Sequence, residues 1–474
     1  MEIQIKRRDF LAGMSGALGG LLLGGKTWAE GRPPNIVLIL IDDLGWRDLG
    51  CYGGEVFETP NIDRLAGQGL RFTQAYSNCP VCSPSRAAIL TGKSPARLRF
   101  SGHITAILRH RHPEGSRILP PDDRLYVPYE EVMLPEALKP AGYVSANIGK
   151  WNVGLEGYWP EDQGFDINIA GWTHGSPPTY FDPYKNPEKE WNPAIPNLKG
   201  RKPGEYLTDR LTDESIQFIE AHKEQPFFLY LPYYAVHTPL EAPAKLVEKY
   251  TEKLAGRNAG VDPVYAAMVE IVDRNVGRLM DTLDRLNLTE NTAVLFFSDN
   301  GGTLRSTNNA PLREGKGWLY EGGIRVPLII KWPGHVPEGG VCHEPVIGSD
   351  LYPTIVEMVG DKAKPGDSPD GVDLAPLWRG KEQLERDTFY WYYPHYNSHS
   401  MQPCAAIRKG DYKLIEYYDP PHLELYNIAQ DLSEKHDLAE KMPEKAAALL
   451  GDLHGYLARV HAQMHTLNPE RKRP

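Results

Sequence analysis

The chain of 474 residues carries 52 Lys and Arg against 62 Asp and Glu, a net charge of −10, and 41% of its residues are hydrophobic, with 10 Trp, 25 Tyr and 12 Phe among its residues. That apolar and aromatic content excludes a disordered chain, and the acidic balance excludes a globally basic nucleic-acid binder. The 45 Gly and 41 Pro follow no period, which points to a loop-rich enzyme rather than a fibre, and five cysteines are too few for a disulfide scaffold.

Lys6-Arg7-Arg8-Asp9-Phe10-Leu11 precedes a glycine-diluted apolar run from Leu11 to Gly25 and then Thr27-Trp28-Ala29. The pattern predicts a twin-arginine signal over residues 1–29, cleaved after Ala29, because the apolar run is shorter than the ~20 residues of a membrane span. Its removal leaves 48 basic against 60 acidic residues, a charge of −12. No later segment is apolar enough to span a bilayer, so the expected product is a periplasmic or secreted bacterial protein with no membrane partner.

Asn35 to Ile41 is a continuous β-branched run, as in a strand buried on both faces of a parallel sheet. Similar runs recur at Tyr143 to Ile148, Phe227 to Leu231, Thr292 to Phe297 and Val326 to Lys331, with helical patterns at Pro60 to Ala66, Leu207 to Ala221 and Tyr265 to Leu286. This alternation predicts an α/β fold, a large mostly parallel sheet sandwiched by helices, over residues 30–384. Arg97 to Tyr129 and Asn152 to Gly204, rich in Pro, Gly and aromatics, interrupt it as binding or covering loops. From about residue 385 the pattern changes to short strands at Phe389 to Tyr393, Ala405 to Arg408 and Tyr412 to Tyr418, then a helix over Pro443 to Met464. These predict a smaller C-terminal α+β domain over 385–474.

In open parallel sheets the ligand crevice lies beyond the carboxyl ends of the strands. The first strand ends in Asp42-Asp43, the second run in Gly149-Lys150, the third leads to His237 and the fourth ends in Ser298-Asp299-Asn300. Any one of these groups alone reads as a cap or turn residue. Their repetition at one edge points instead to a site. Asp42, Asp43, Asp299 and Asn300 are hard oxygen donors, which suits Ca²⁺, or Mg²⁺, better than Zn²⁺, and adjacent acids call for a neutralising cation.

Cys82-Ser83-Pro84-Ser85-Arg86 precedes Ala87-Ala88-Ile89-Leu90-Thr91-Gly92, read as the start of a helix, and a cysteine at that position has a stabilised anionic form. The Cys-x-Pro-Ser-Arg motif resembles the signature of type I sulfatases of the alkaline phosphatase superfamily, in which this cysteine becomes Cα-formylglycine. Companion motifs run along nearly the whole chain in the same order: Thr59 to Ala66, Gly149-Lys150-Trp151, His237-Thr238-Pro239, Ser298 to Gly302, Lys316-Gly317, Tyr320 to Pro327, Asp350 to Thr354 and Glu424 to Asn427. Within the family the chain is most similar to arylsulfatase A and the N-acetylgalactosamine sulfatases.

The resemblance implies hydrolysis of a sulfate monoester, through a formylglycine gem-diol that attacks sulfur and a sulfo-enzyme that then expels sulfate. It implies that Asp42, Asp43, the modified Cys82, Asp299 and Asn300 hold Ca²⁺, that Arg86 anchors the diol, and that Lys150 and Lys316 offset charge on the sulfate oxygens. His237 with Lys316 would protonate the leaving oxygen. A formylglycine-generating maturation enzyme is implied as a partner. At Asn152 the chain departs from the family, which usually carries a histidine that acts as a base in sulfate release; asparagine hydrogen-bonds but takes no proton near neutral pH. Either another base substitutes, or release is slow, or the protein binds without hydrolysing; the intact remainder of the site favours the first.

The expected substrate is a sulfated glycan of galactose or N-acetylgalactosamine sulfate type. His103, His174 and His395 lie in aromatic-rich or basic loops as candidate substrate contacts. The run Arg109-His110-Arg111-His112 reads equally as a solvated charge run. The alternatives are a phosphomonoester or phosphonate ester hydrolase of the same superfamily and a catalytically silent glycan-binding protein.

Overall fold

Six consecutive apolar residues after Asn35, with prolines before and a turn behind, make Asn35–Ile41 the strand β1, buried along its whole length. Its alternate side chains divide between two cores: Val37, Ile39 and Ile41 pack on one face of the sheet, and Ile36, Leu38 and Leu40 on the other. Both faces of a central strand are thus closed by helices and loops. The structure, a computed structural model, describes residues 32–105, 112–257, 259–397 and 402–470. The expected signal over 1–29 and the basic residues Arg109, His110 and Arg111 lie outside the described residues.

The further strands are β2 (Leu70–Tyr76), β3 (Ile118–Leu119), β4 (Val144–Ile148), β5 (Ile167–Ile169), β6 (Phe227–Pro232), β7 (Thr292–Ser298), β8 (Arg325–Lys331), β9 (Gly340–Cys342), β10 (Val346–Ile347), β11 (Thr388–Tyr393), β12 (Cys404–Lys409), β13 (Tyr412–Tyr418), β14 (Pro421–Asn427) and β15 (Thr466–Leu467). Nine of them form the large sheet, in the order β10-β2-β8-β7-β1-β6-β4-β5 with β9 also on β2. β1 is parallel to β6 and β7, and β4 is parallel to β6, so these four strands end at one edge. β8 alone runs antiparallel, between β2 and β7. The sheet is therefore mixed and mostly parallel, as its sequence pattern predicts.

The C-terminal segment forms a four-stranded antiparallel sheet, β11-β12-β13-β14. One face packs Trp391, Ala406, Ile415 and Tyr426 against Tyr76, Leu319 and Ile324. The other packs Ala405, Ile407 and Leu414 against Leu449, Leu453 and Leu457 of the helix Pro443–Arg459. That helix stops five residues before the expected Met464, where His461 takes the left-handed conformation at φ 53° and turns the chain out of the helix. No helix among the described residues is long and apolar enough to cross a membrane.

A buried ion network joins the two sheets. Lys413 Nζ on β13 lies 3.1 Å from Glu321 and 2.8 Å from Glu434, all with fully buried side chains. Glu321 also pairs with Arg325 at 3.3 Å and accepts a hydrogen bond from the Tyr76 hydroxyl at 2.7 Å. Burial pushes the Glu434 carboxyl up to about 7 even with Lys413 beside it. Burial pushes Glu321 up as well, but Lys413, Arg325 and Arg408 outweigh it and hold that carboxyl near 2.

Removing the shared cation leaves Glu434 as an uncompensated buried charge. Lys413→Met is expected to cost about 3–5 kcal/mol of unfolding free energy, measured by denaturant titration. Because a carboxyl raised in the folded state loses its stabilising protonation as pH rises, the deficit should grow between pH 5 and pH 8. Adding Glu434→Gln should recover at least half of it; no recovery would show that the loss came from packing.

Candidate active site

The carboxyl ends of β1, β4, β6 and β7 converge on the amino terminus of the helix Cys82–Thr91. The helix begins at Cys82 itself, with Val81 extended before it, rather than at Ala87 as the sequence pattern suggests. Proline at its third position and serines around it explain the early start, since both are compatible with a first turn. Every residue of this helix is buried.

Six acidic and basic side chains close around Cys82. Asp42 receives Lys150 Nζ at 2.6 Å and lies 3.8 Å from Arg86. Asp43, at φ 62°, receives Lys316 Nζ at 2.6 Å and the Asn300 amide at 2.8 Å. Asp299 receives Arg86 Nε at 2.8 Å. Cys82 Sγ sits 3.4 Å from Asp42 Oδ1 and 3.4 Å from Lys316 Nζ. Gly149, at φ 131°, allows the turn that sends Lys150 inward; a Cβ there would stand 2.1 Å from the Pro232 carbonyl oxygen. Lys150 is then fixed by its own backbone bond to that carbonyl at 2.7 Å.

The electrostatics follow from three carboxylates facing three cations in a buried space. Burial pushes Asp42 up to about 7, with Lys150 and Arg86 opposing and Asp299 and Asp43 reinforcing. Burial acts the same way on Asp43, but Lys316, His237 and Lys150 outweigh it and hold the carboxyl well below its usual range. Lys316 is held charged by Asp43 against the pull of burial. The expected thiolate does not form: burial pushes the Cys82 thiol up to about 12, since the helix amino terminus cannot make up for the loss of water and the nearness of Asp42. The five cysteines are all free thiols.

Asp42, Asp43, Cys82 and His237 bring ligand atoms within 4.8 Å of one another, the one such cluster among the described residues. Asp299 and Asn300 adjoin it, and the Asn300 side-chain oxygen is buried without a hydrogen-bond partner. An orphaned carbonyl oxygen beside three carboxylates suits a hard divalent cation, so the donor set fits one.

His237 stands at the rim, with Nε2 3.7 Å from Asp43. Its Nδ1 bonds the Thr238 carbonyl at 2.8 Å, which places the proton of the neutral ring on Nδ1. Burial, Lys316 and Lys150 push this imidazole down to about 3, so it is neutral. Asn152, at φ 60° and fully buried, spends its side chain elsewhere than on Cys82: Oδ1 accepts from Ser83 Oγ at 2.8 Å and Nδ2 donates to the Thr173 carbonyl at 2.9 Å.

His103 belongs to the same neighbourhood. A Cβ on Gly175 would come within 3.1 Å of both His103 Nε2 and Asn152 Oδ1, so these atoms line one gap. Burial, with Lys150, Lys316 and His237 reinforcing, pushes His103 well below the ordinary imidazole range. His174 is one residue removed, its ring packed at a tilt between Trp172 and Trp191. His395 lies beside the residue before His103: a Cβ on Gly102 would stand 2.9 Å from His395 Nε2. It is buried, bonded to Ser101 Oγ at 2.9 Å and to Asp123 at 3.1 Å, and it bolts the end of β11 to the loop after the first helices.

Sequence reasoning passed over Ser83 and Gly175. Ser83 Oγ meets both Asn152 and the Ile104 backbone amide, at 2.8 and 3.4 Å, and so ties the loop carrying His103 to the helix of Cys82. Its place inside the Cys-Ser-Pro-Ser-Arg motif is the signal that could have found it; Gly175 has none.

The family model described as Sulfatase matches residues 34–360. The chain belongs to the sulfatase family. A second model, N-sulphoglucosamine sulphohydrolase, C-terminal, matches residues 315–463. Among curated relatives, a Sulfatase from Formosa agariphila is 34% identical, covering 87% of this chain and 86% of that protein. The N-acetylgalactosamine-6-sulfatase of Mus musculus is 36% identical over 83% of this chain and 73% of its own. The crystal structure of Ps i-CgsB in complex with k-i-k-neocarrahexaose aligns with a TM-score of 0.75 and 32% identity, covering 90% of this chain and 93% of that one. As a sulfatase the protein is a sulfuric ester hydrolase, and the fold expected from that resemblance is the one found.

Proposed function

We propose that this sulfatase removes sulfate from a galactose- or N-acetylgalactosamine-type glycan, with Cys82 converted to formylglycine as nucleophile and Ca²⁺ held by Asp42, Asp43, Asp299 and Asn300 beside it. The observation that carries this reading is the burial of Arg86, Lys150 and Lys316 around Cys82, a cationic frame shaped for a tetrahedral oxyanion. The names of the murine relative and of the solved carrageenan complex support the sugar class. Once formed at Cys82, the formylglycine would supply the oxygen that attacks sulfur, and a cation held by Asp42, Asp43, Asp299 and Asn300 would supply Lewis-acid polarisation beside it.

The chain's own residues do the rest. Arg86, clamped by Asp299, fixes the nucleophile's position. Lys150 and Lys316 face the sulfate oxygens. With its ring proton on Nδ1, His237 can deliver a proton from Nε2 only when charged, so Lys316 is the standing donor to the leaving oxygen and His237 assists. At sulfate release His103 Nε2 takes the proton that Asn152 cannot, since it is a neutral imidazole lining the same gap. Upstream, a twin-arginine signal over residues 1–29 routes the chain to the periplasm or beyond, and a formylglycine-generating enzyme modifies Cys82.

The function is tested by incubating the protein purified from its native host with sulfated mono- and oligosaccharides, 4-nitrophenyl sulfate and 4-nitrophenyl phosphate, alongside mass spectrometry of the tryptic peptide Phe72 to Arg86. Sulfate release from a glycan, with that peptide carrying the aldehyde, is expected. Unmodified Cys82, or faster release of phosphate than sulfate, would overturn the reading.

For the cation, Ca²⁺ should raise the melting temperature of the wild type and EGTA should reverse the shift. In Asn300→Ala the shift should fall to less than half, because one of the ligating oxygens is gone. An equal shift in both proteins would remove Asn300 from the site.

His103→Gln should lower kcat by about 100-fold with KM nearly unchanged. Restoring a histidine through Asn152→His in that background should recover at least about 10-fold, whereas in the wild type it should change kcat less than about twofold. If the double variant shows no recovery, His103 does not carry the proton.

A further inference from the structure

The segment that walls the gap between Asn152 and His103 continues into an aromatic strip no catalytic step uses. Thr173 accepts the Asn152 amide and Gly175 lines the gap. Between them His174 packs its ring 4.4 Å from the centroid of Trp172 and 5.7 Å from that of Trp191. Trp172 is partly buried against the core. Trp191 is 49% exposed, one of few large apolar side chains in the described residues so open to solvent. The strip therefore runs from the wall of the sulfate pocket to the surface.

Its outer end is held rigidly. Asn192, fully buried, donates to the Ser176 carbonyl at 2.8 Å. Lys189 Nζ donates to the Pro178 carbonyl at 2.7 Å, and the Asn192 amide closes a turn onto the Lys189 carbonyl at 2.8 Å. A tryptophan exposed by half yet held between the buried Asn192 and the Lys189 contact to Pro178 is built to present a face, because a loosely attached apolar ring on the surface gains nothing from such anchoring.

From this geometry we infer that Trp191, backed by His174, which in turn packs on Trp172, is a stacking platform for a sugar ring next to the one that carries the sulfate, so that the enzyme recognises at least a disaccharide. The inference rests on the glycan reading above. A pyranose presents an apolar C–H face that fits an indole plane, while its hydroxyls reach water at the open edge. The platform contributes to binding of the neighbouring ring alone and touches no reacting atom, so it acts on KM.

The test compares wild type, Trp191→Ala and Trp191→Phe on a neocarrahexaose, a chondroitin 6-sulfate hexasaccharide and 4-nitrophenyl sulfate. Binding of the same hexasaccharides to the full-length Cys82→Ser protein, with and without Trp191→Ala, is measured by calorimetry. Trp191→Ala should raise KM about 10-fold on the hexasaccharide the wild type prefers, at unchanged kcat. Trp191→Phe should stay within about threefold of wild type, and neither variant should change 4-nitrophenyl sulfate hydrolysis. Calorimetry should show the same 10-fold loss of affinity. Equal KM and affinity in Trp191→Ala and wild type would overturn the platform while leaving the glycan reading intact. A wild type that cleaves 4-nitrophenyl sulfate but neither hexasaccharide, and binds neither, would overturn both.

Discussion

The structure turns on the burial of three carboxylates and three cations around one cysteine. An isolated ion in such a space would cost many kcal/mol, and only mutual pairing makes it tolerable. That condition dictates the rest: Asp42 and Asp43 must follow a central strand, Lys150 must turn inward after its neighbour, and Arg86 must point from a wholly buried helix. With equal numbers of opposite charges the pocket has little net field of its own. A divalent ion, which this donor set fits, would add the excess positive charge an anionic ester needs, and a field of that range acts independently of the net charge of −10 on the whole chain.

The strands that carry the site were legible in the sequence because each is a run of apolar residues ended by a polar group, and a run buried on both faces leaves no other reading. β2 was not legible: Leu70–Tyr76 mixes Arg, Thr and Gln with Phe and Tyr, since part of one face reaches the surface. β14 was hidden for the same reason, with Pro421 and His422 exposed at its start. The helix of Cys82 was placed late because its first turn is made of Ser and Pro, which serve turns as readily as helix starts. The residues of the site were named by their motif. What no spacing could reveal was the gap shared by His103 and Asn152, formed across 49 residues by a glycine in a third segment.

Asn152 shows how a family position can change without collapse of its surroundings. Its amide is taken up by Ser83 and Thr173, two partners that need one acceptor and one donor, which asparagine supplies on a single rigid plane. The side chain therefore serves as a brace between the helix of Cys82 and the loop that leads to Trp191. The two segments share that brace, so a displacement of one is passed to the other.

Cys82 has no exposed surface in the folded chain. Any protein that oxidises it must therefore take hold of the segment while it is still extended, before the strands around it close. On the formylglycine reading proposed above, the active fraction of the enzyme would be decided by a race between modification and folding, and whatever slows closure of the sheet edge would favour the modified form.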